Sequence, residues 1–145
     1  TPTSSLITLG NGTEVNGNTD SFIGYAFAEK TGFSKFMSWS GSGSTDGTFL
    51  YTGFKVAFFM YKVTSGAGGW GILDNKRDTF NPVDNTISAH ANSAEASDHD
   101  VDFLSNGIKI RSAGGDINAS GSSYIGMAFA EEPLVSSNGV PATAR

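Results

Sequence analysis

Asp98, Asp100 and Asp102 occupy alternate positions in the run Asp98-His99-Asp100-Val101-Asp102-Phe103-Leu104. Successive side chains of an extended strand point to opposite faces, so the three carboxylates would share one face. Like charges placed there repel unless water or a cation separates them. With Asp74, Asp78 and Asp84 in a nearby loop, they supply the hard oxygen ligands that Ca2+ takes. The spacing of a twelve-residue calcium loop is missing, because Asn follows Asp84 and no Glu closes such a loop. A solvated, charge-bearing strand face is therefore the main expectation, and a Ca2+ site on Asp98, Asp100 and Asp102 the alternative.

Arg77 beside Asp78 points to a different use of charge. A guanidinium is a rigid fork of donors that can bind carboxylates and backbone carbonyls together, and so pin an irregular loop. Asp74–Arg77 and Arg77–Asp102 are the pairings the order of residues suggests. Ligand contact is the third chemistry. A shallow saccharide site needs an exposed aromatic ring with donors and acceptors beside it. Trp70 with Asp74 and Asn75 would serve, as would Trp39, although tryptophans more often fill cores.

Enzymatic chemistry is not expected. His90 and His99 are the only histidines, and no serine lies in a Gly-x-Ser-x-Gly turn near them. Gly41-Ser42-Gly43-Ser44-Thr45 lacks the Gly-Lys-Ser/Thr ending of a phosphate loop. Glu29 and Glu131 could be imagined as a catalytic pair, but each closes a repeated segment and reads more simply as a solvated strand end. No cysteine is present, which removes disulfides, thiolate metal sites and thiol catalysis together. No cofactor other than the alternative Ca2+ is expected.

The elements that would position these groups are short strands. Ser21-Phe22-Ile23-Gly24-Tyr25-Ala26-Phe27-Ala28-Glu29 returns as Ser123-Tyr124-Ile125-Gly126-Met127-Ala128-Phe129-Ala130-Glu131. The approach repeats too, Glu14-Val15-Asn16-Gly17 answering Asp116-Ile117-Asn118-Ala119, and Ile7-Thr8-Leu9 lines up with Ile108-Lys109-Ile110 after one residue of slippage. A repeat this long suggests modules in series rather than a solenoid of short repeats. Both copies read as strands apolar on both sides, with Ile, Tyr or Met, and Phe facing a core and Gly and Ala on a closely covered face. Lys55 to Val63 is the most apolar stretch and the expected centre of a sheet. Asn106-Gly107 is a hairpin signal, and Pro82 closes off any helix from Asn81 onward.

Composition agrees. Charged residues are 16%, Gly supplies 19 of 145 positions, and 11 Phe, 4 Tyr and 2 Trp provide the core that disordered chains lack. About ten short strands, glycine-rich turns and no long helix predict an all-β antiparallel two-sheet β-sandwich of jelly-roll or concanavalin-like type, with a barrel as competitor. Residues 1–32 read as the last strands of a preceding repeat or a strand pair completing the fold. Residues 33–132 read as the sandwich, and 133–145 as an extended tail. The net charge of −5 and the lack of a basic patch argue against nucleic acid or anionic membrane as partner, and no apolar run has the length of a membrane helix.

Several phrases together resemble a known family. They are Ser40-Gly41-Ser42-Gly43-Ser44, Thr52-Gly53-Phe54-Lys55-Val56, Asp74 to Pro82, Val101 to Lys109, and Tyr124 to Glu131. The combination resembles tail and fibre-associated virion proteins of marine tailed bacteriophages, which are often described as having lectin-like sandwich domains. The resemblance covers about residues 33 to 145, including the closing Pro133 to Arg145. It implies a non-enzymatic structural module of a tail fibre, appendage or capsid decoration on the extracellular particle surface. Its partners would be homotypic and other virion subunits, with a host surface glycan as the alternative ligand of a host-attachment module.

Overall fold

The computed structural model describes Thr3 and residues 5–132. The expected tail at 133–145 lies outside the described residues. Eight strands carry the fold: β1 (Ser34–Ser40), β2 (Phe49–Tyr51), β3 (Val56–Val63), β4 (Trp70–Asp74), β5 (Val83–Ser88), β6 (Ala96–Leu104), β7 (Gly107–Ile110) and β8 (Ser123–Ala130). Two four-residue helical turns, α1 (Thr13–Asn16) and α2 (Gly115–Asn118), are the only helix among the described residues.

All pairings are antiparallel, and they run in the order β1-β8-β3-β4-β5-β6-β7-β2. The ladder is thus one continuous sheet. β5 makes it so, pairing with β6 from Val83 to Thr86 and with β4 at Ile87 and Ser88. The sheet curls towards a barrel, bringing β3 against β6 although two strands separate them in the ladder. Across that curl the Tyr61 and His99 rings meet edge to face, centroids 5.9 Å apart.

The two strands missing from the expected ten are Leu6–Leu9 and the first copy of the repeated segment. Residues 21–28 form no ladder, and Ile23 and Tyr25 are 83% and 81% exposed. Their sequence twin β8 is the opposite, a central strand paired along its length to β1 and β3. The inward face of β8 also differs from expectation. Tyr124, Gly126 and Ala128 are buried, while Ile125, Met127 and Phe129 face outward and are only partly covered. The small residues face inward because aromatic rings fill the space beside them. A Cβ on Gly126 would meet the Phe59 ring at 2.8 Å and the Trp39 ring at 3.1 Å.

Trp39 therefore corrects the sequence reading. It is 7% exposed, stacked on Tyr124 at 5.3 Å, and its indole N–H donates to the Ile117 carbonyl at 3.1 Å. Burial on this scale with a satisfied N–H makes it a core residue, unavailable to a ligand. The β6–β7 hairpin turns through Ser105 and Asn106, one residue earlier than the Asn-Gly signal suggests. Gly107 opens β7, and β2 lies so close that a Cβ there would strike the Leu50 carbonyl and the Phe49 ring.

Asn118, fully buried, ties α2 to the loop joining β1 and β2. Its Oδ1 accepts from the Ser42 N–H at 2.9 Å, and its Nδ2 donates to the carbonyls of Ser44 and Ser112, each at 2.9 Å. At the far end of β8, Glu131 binds Lys55 at 2.5 Å and the Asn75 amide at 2.8 Å. The hydrogen bond from Lys55 leads the causes that hold its carboxyl below the ordinary 4.5. A depressed carboxyl stabilises the fold above its unfolded value, and that contribution is lost as pH falls through the folded value. Glu131→Gln is expected to lower the melting temperature at neutral pH and to shrink the loss of stability below about pH 4.5. Thermal melts from neutral to acid pH check this, and parallel pH curves for parent and variant would contradict it.

Candidate functional site

β6 shows the alternation its sequence suggests, with His99, Val101 and Phe103 buried and Asp98, Asp100 and Asp102 on the wetter face. The three carboxylates do not converge. Asp102 pairs with the Arg111 guanidinium at 2.6 Å, and Asp98 lies 2.8 Å from His99 Nδ1. Among the described residues no group of three or more His, Cys, Asp or Glu is placed to hold a metal ion. Repulsion is nonetheless felt nearby. Burial first, then the charges of Asp78, Asp100 and Asp98, push the Asp84 carboxyl above its usual value.

Arg77 is the hub of the loop after β4. Its Nε donates to Asp74 Oδ2 at 2.8 Å, while other guanidinium N–H groups reach the Asn85 carbonyl at 2.7 Å, Glu95 at 2.9 Å and the Ile72 carbonyl at 3.2 Å. The pairing is with Asp74; Asp102 is taken by Arg111 instead. Burial alone would raise the Asp74 carboxyl, but hydrogen bonds from the Arg77 backbone and side chain and the Lys76 N–H outweigh it and hold it low. Asp78 accepts the backbone N–H groups of Asp84 and Asn85 at 2.9 and 2.8 Å, fixing the entry to β5. Arg77→Met keeps much of the stem but strips every one of these donors. A loss of about 2–4 kcal/mol is expected, since it leaves the half-buried Asp74 and two carbonyls unpaired. Urea unfolding measures it, and a change under ~0.5 kcal/mol would show that the loop stands without its pin.

A cavity of about 250 Å³ opens where β3, β4, β5 and β6 meet the start of α2. Tyr61, Trp70, Thr86, His90, His99, Asp98 and Asp116 line it. The Tyr61 hydroxyl is buried beside Thr86 without a well-formed hydrogen bond, and burial pushes its phenol above the ordinary tyrosine value, so it stays protonated and able to donate. Trp70 stands half-buried at the same cavity, and its backbone N–H donates to His90 Nδ1 at 3.1 Å. The imidazole packs over Gly69, where any Cβ would collide with the ring.

Thr86, His99 and Asp98 sit together, as the members of a hydroxyl–imidazole–carboxylate relay would. The geometry is wrong for one: Thr86 Oγ1 at 3.5 Å and Asp98 Oδ1 at 2.8 Å both address Nδ1. A relay needs the hydroxyl on one ring nitrogen and the carboxylate on the other. The arrangement can hold a small polar ligand through an aromatic wall and several donors and acceptors. Asp74 and Asn75 are not part of it, because they lie at the opposite end of β4 from Trp70, about 13 Å along an extended strand. Asn75 is engaged with Glu131.

Residues 1–133 match the family model described as Domain of unknown function (DUF7483). The chain belongs to this family. No curated protein and no solved structure matches the chain. The matched residues take in both the exposed segment and the curled sheet.

Sequence reasoning missed Tyr61, Thr86 and Asp116 as cavity residues, because the cavity joins positions far apart in the chain. It also missed Asn118. A signal was there: Asn16 and Asn118 hold the same place in the two copies of the repeat while the residues around them differ.

Proposed function

We propose that the chain is a non-enzymatic structural module of a tailed-bacteriophage virion, in a tail fibre, appendage or capsid decoration, working by contact with neighbouring subunits on the particle surface. One observation carries the reading. Leu6, Ile7, Ile23, Tyr25 and Phe27 are all more than half exposed along a single segment. Large apolar side chains left bare together in this way mark a contact surface rather than a finished exterior. The resemblance of several phrases to marine phage tail and fibre-associated proteins suggests the kind of particle. The lectin-like sandwich of that family is also our reading of the curl, bent at β5 so that the β3 and β6 halves face each other.

In lysates that contain the protein, it is expected to co-sediment with intact phage particles through a density gradient. Recovery only in the particle-free soluble fraction would overturn the reading.

A second reading, a carbohydrate-binding host-recognition module, is supported by the Tyr61 hydroxyl, which lacks a well-formed hydrogen bond, beside half-buried Trp70. Trp39 is sealed in the core, so a change in tryptophan emission on saccharide titration reports Trp70. Unchanged emission across a panel of host surface saccharides would remove this reading.

A further inference from the structure

Over residues 10–19 the exposed segment copies residues 112–121 in conformation as well as sequence. α1 and α2 stand 102 positions apart, each preceded by an extended glycine, Gly12 with φ −65° and Gly114 with φ −69°. In both, the Asn N–H closes the turn onto that glycine's carbonyl at 2.9 Å, Asn16 to Gly12 and Asn118 to Gly114. Asn16 Nδ2 donates to the Gly10 carbonyl at 3.1 Å, and Asn118 Nδ2 to the Ser112 carbonyl at 2.9 Å. Past the turn, Thr19 and Gly121 share a positive φ, 70° and 75°. Thr19 holds a conformation that β-branched residues avoid, in step with its twin.

What the copy lacks is its socket. Asn118 has the further partners Ser42 and Ser44, and the Trp39 indole N–H reaches the Ile117 carbonyl. Asn16 has only the local bond, and its neighbour Val15 is exposed. Gly126 is required by the Phe59 and Trp39 rings, whereas a Cβ on Gly24 would meet nothing within 4 Å. Glycine costs stability in an extended segment unless something approaches closely, so Gly24 fits a socket like that of Gly126. The segment's own β1 does not provide it. The Lys30–Ser34 bridge begins a hairpin, but Ala28 O accepts from the Ser34 hydroxyl and the Phe36 N–H is held by the Glu29 carboxylate, which ends the ladder. A second copy of the chain gains nothing by exchange, since β8 already fills its slot.

We infer that residues 10–29 are the closing α2–β8 element of another module of this same fold, joined in series ahead of β1, whose β1-to-β3 slot they fill as residues 112–131 fill the slot described here. This rests on the reading of the chain as an assembly module and names the partner. Phe27 and Phe129, equivalent positions in the two copies, meet edge to face at 5.9 Å and set the junction between the modules.

The test is a fusion in which residues 33–111 precede residues 10–145, replacing residues 1–9. A matched fusion carries residues 112–131 in place of 10–29. In the parent chain the amides of residues 21–28, which form no ladder, are expected to exchange with solvent unprotected. In the test fusion they are expected to slow by a hundredfold or more, on the order of the protection in β8, and Gly24→Val is expected to abolish that protection in the first module alone. In the parent, Gly24→Val is expected to leave the melting temperature unchanged, since a Cβ there meets nothing within 4 Å. Unprotected 21–28 amides in the test fusion, with the matched fusion folded in both halves, would overturn the inference. That failure with particle association intact removes the inference only, whereas a folded fusion without particle association removes the assembly reading.

Discussion

Gly126→Val is expected to unfold the chain at moderate temperature, or to cost ~3 kcal/mol or more if the fold survives. The new Cβ would fall 2.8 Å from the Phe59 ring and 3.1 Å from both the Met60 carbonyl and the Trp39 ring, with two methyl groups still to place beyond it. None of these neighbours has room to withdraw. Met60 O belongs to the β3 ladder beside β8, and Trp39 is held by stacking on Tyr124 and by its bond to Ile117. Removing glycine from a strand would by itself stabilise by under ~1 kcal/mol, so the clash decides the sign. Thermal melts of Gly126→Val and Gly24→Val side by side check the claim. Comparable melting temperatures for the two would show that the inward face of β8 is not packed as described.

Asn118→Leu is expected to cost about 3–5 kcal/mol. It removes a fully buried amide together with its hydrogen bonds to the Ser42 N–H and to the Ser44 and Ser112 carbonyls, each worth ~0.5–1.5 kcal/mol, and leaves a leucine in a site shaped for a polar group. The loop between β1 and β2 would be released with α2, exposing the edge of the core around Ile117. Asn16→Leu makes the same chemical change in the copy that has no socket, and an effect within ~0.5 kcal/mol is expected there. Urea unfolding of both variants measures the difference. Equal costs would mean that the amide matters only to its own turn.

These paired variants also mark how far the sequence could be read. Alternation in β6, the apolar run of β3 and the glycine-rich turns expose the all-β class because they report local periodicity, which the sheet then honours. Residues 21–28 and β8 carry nearly the same local information, yet β8 is a central strand while residues 21–28 join no ladder and leave Ile23 and Tyr25 bare. No period or propensity can separate them, since the difference lies in whether a β1–β3 slot is at hand. The inward face of β8 was misjudged for a related reason. Size suggested Ile125 and Phe129 for the core, but the Trp39 and Phe59 rings need the space that Gly126 and Ala128 leave. Arg77 was legible because a guanidinium beside Asp74 and Asp78 in an irregular loop has few other uses. The Tyr61–Trp70 cavity was not, because four strands and a helical turn must fold before its walls meet.

Ser34 pairs with Phe129 in the β1–β8 ladder, so the chain enters the sheet and leaves it at one pole. Trp70 pairs with Lys62, which pairs with Ile125, and this puts the cavity towards the other pole. In a string of such modules the connecting thread would run past a single end of every bead. Each bead would then hang outward with its Trp70 end foremost, repeating one small polar recess along the length of the string.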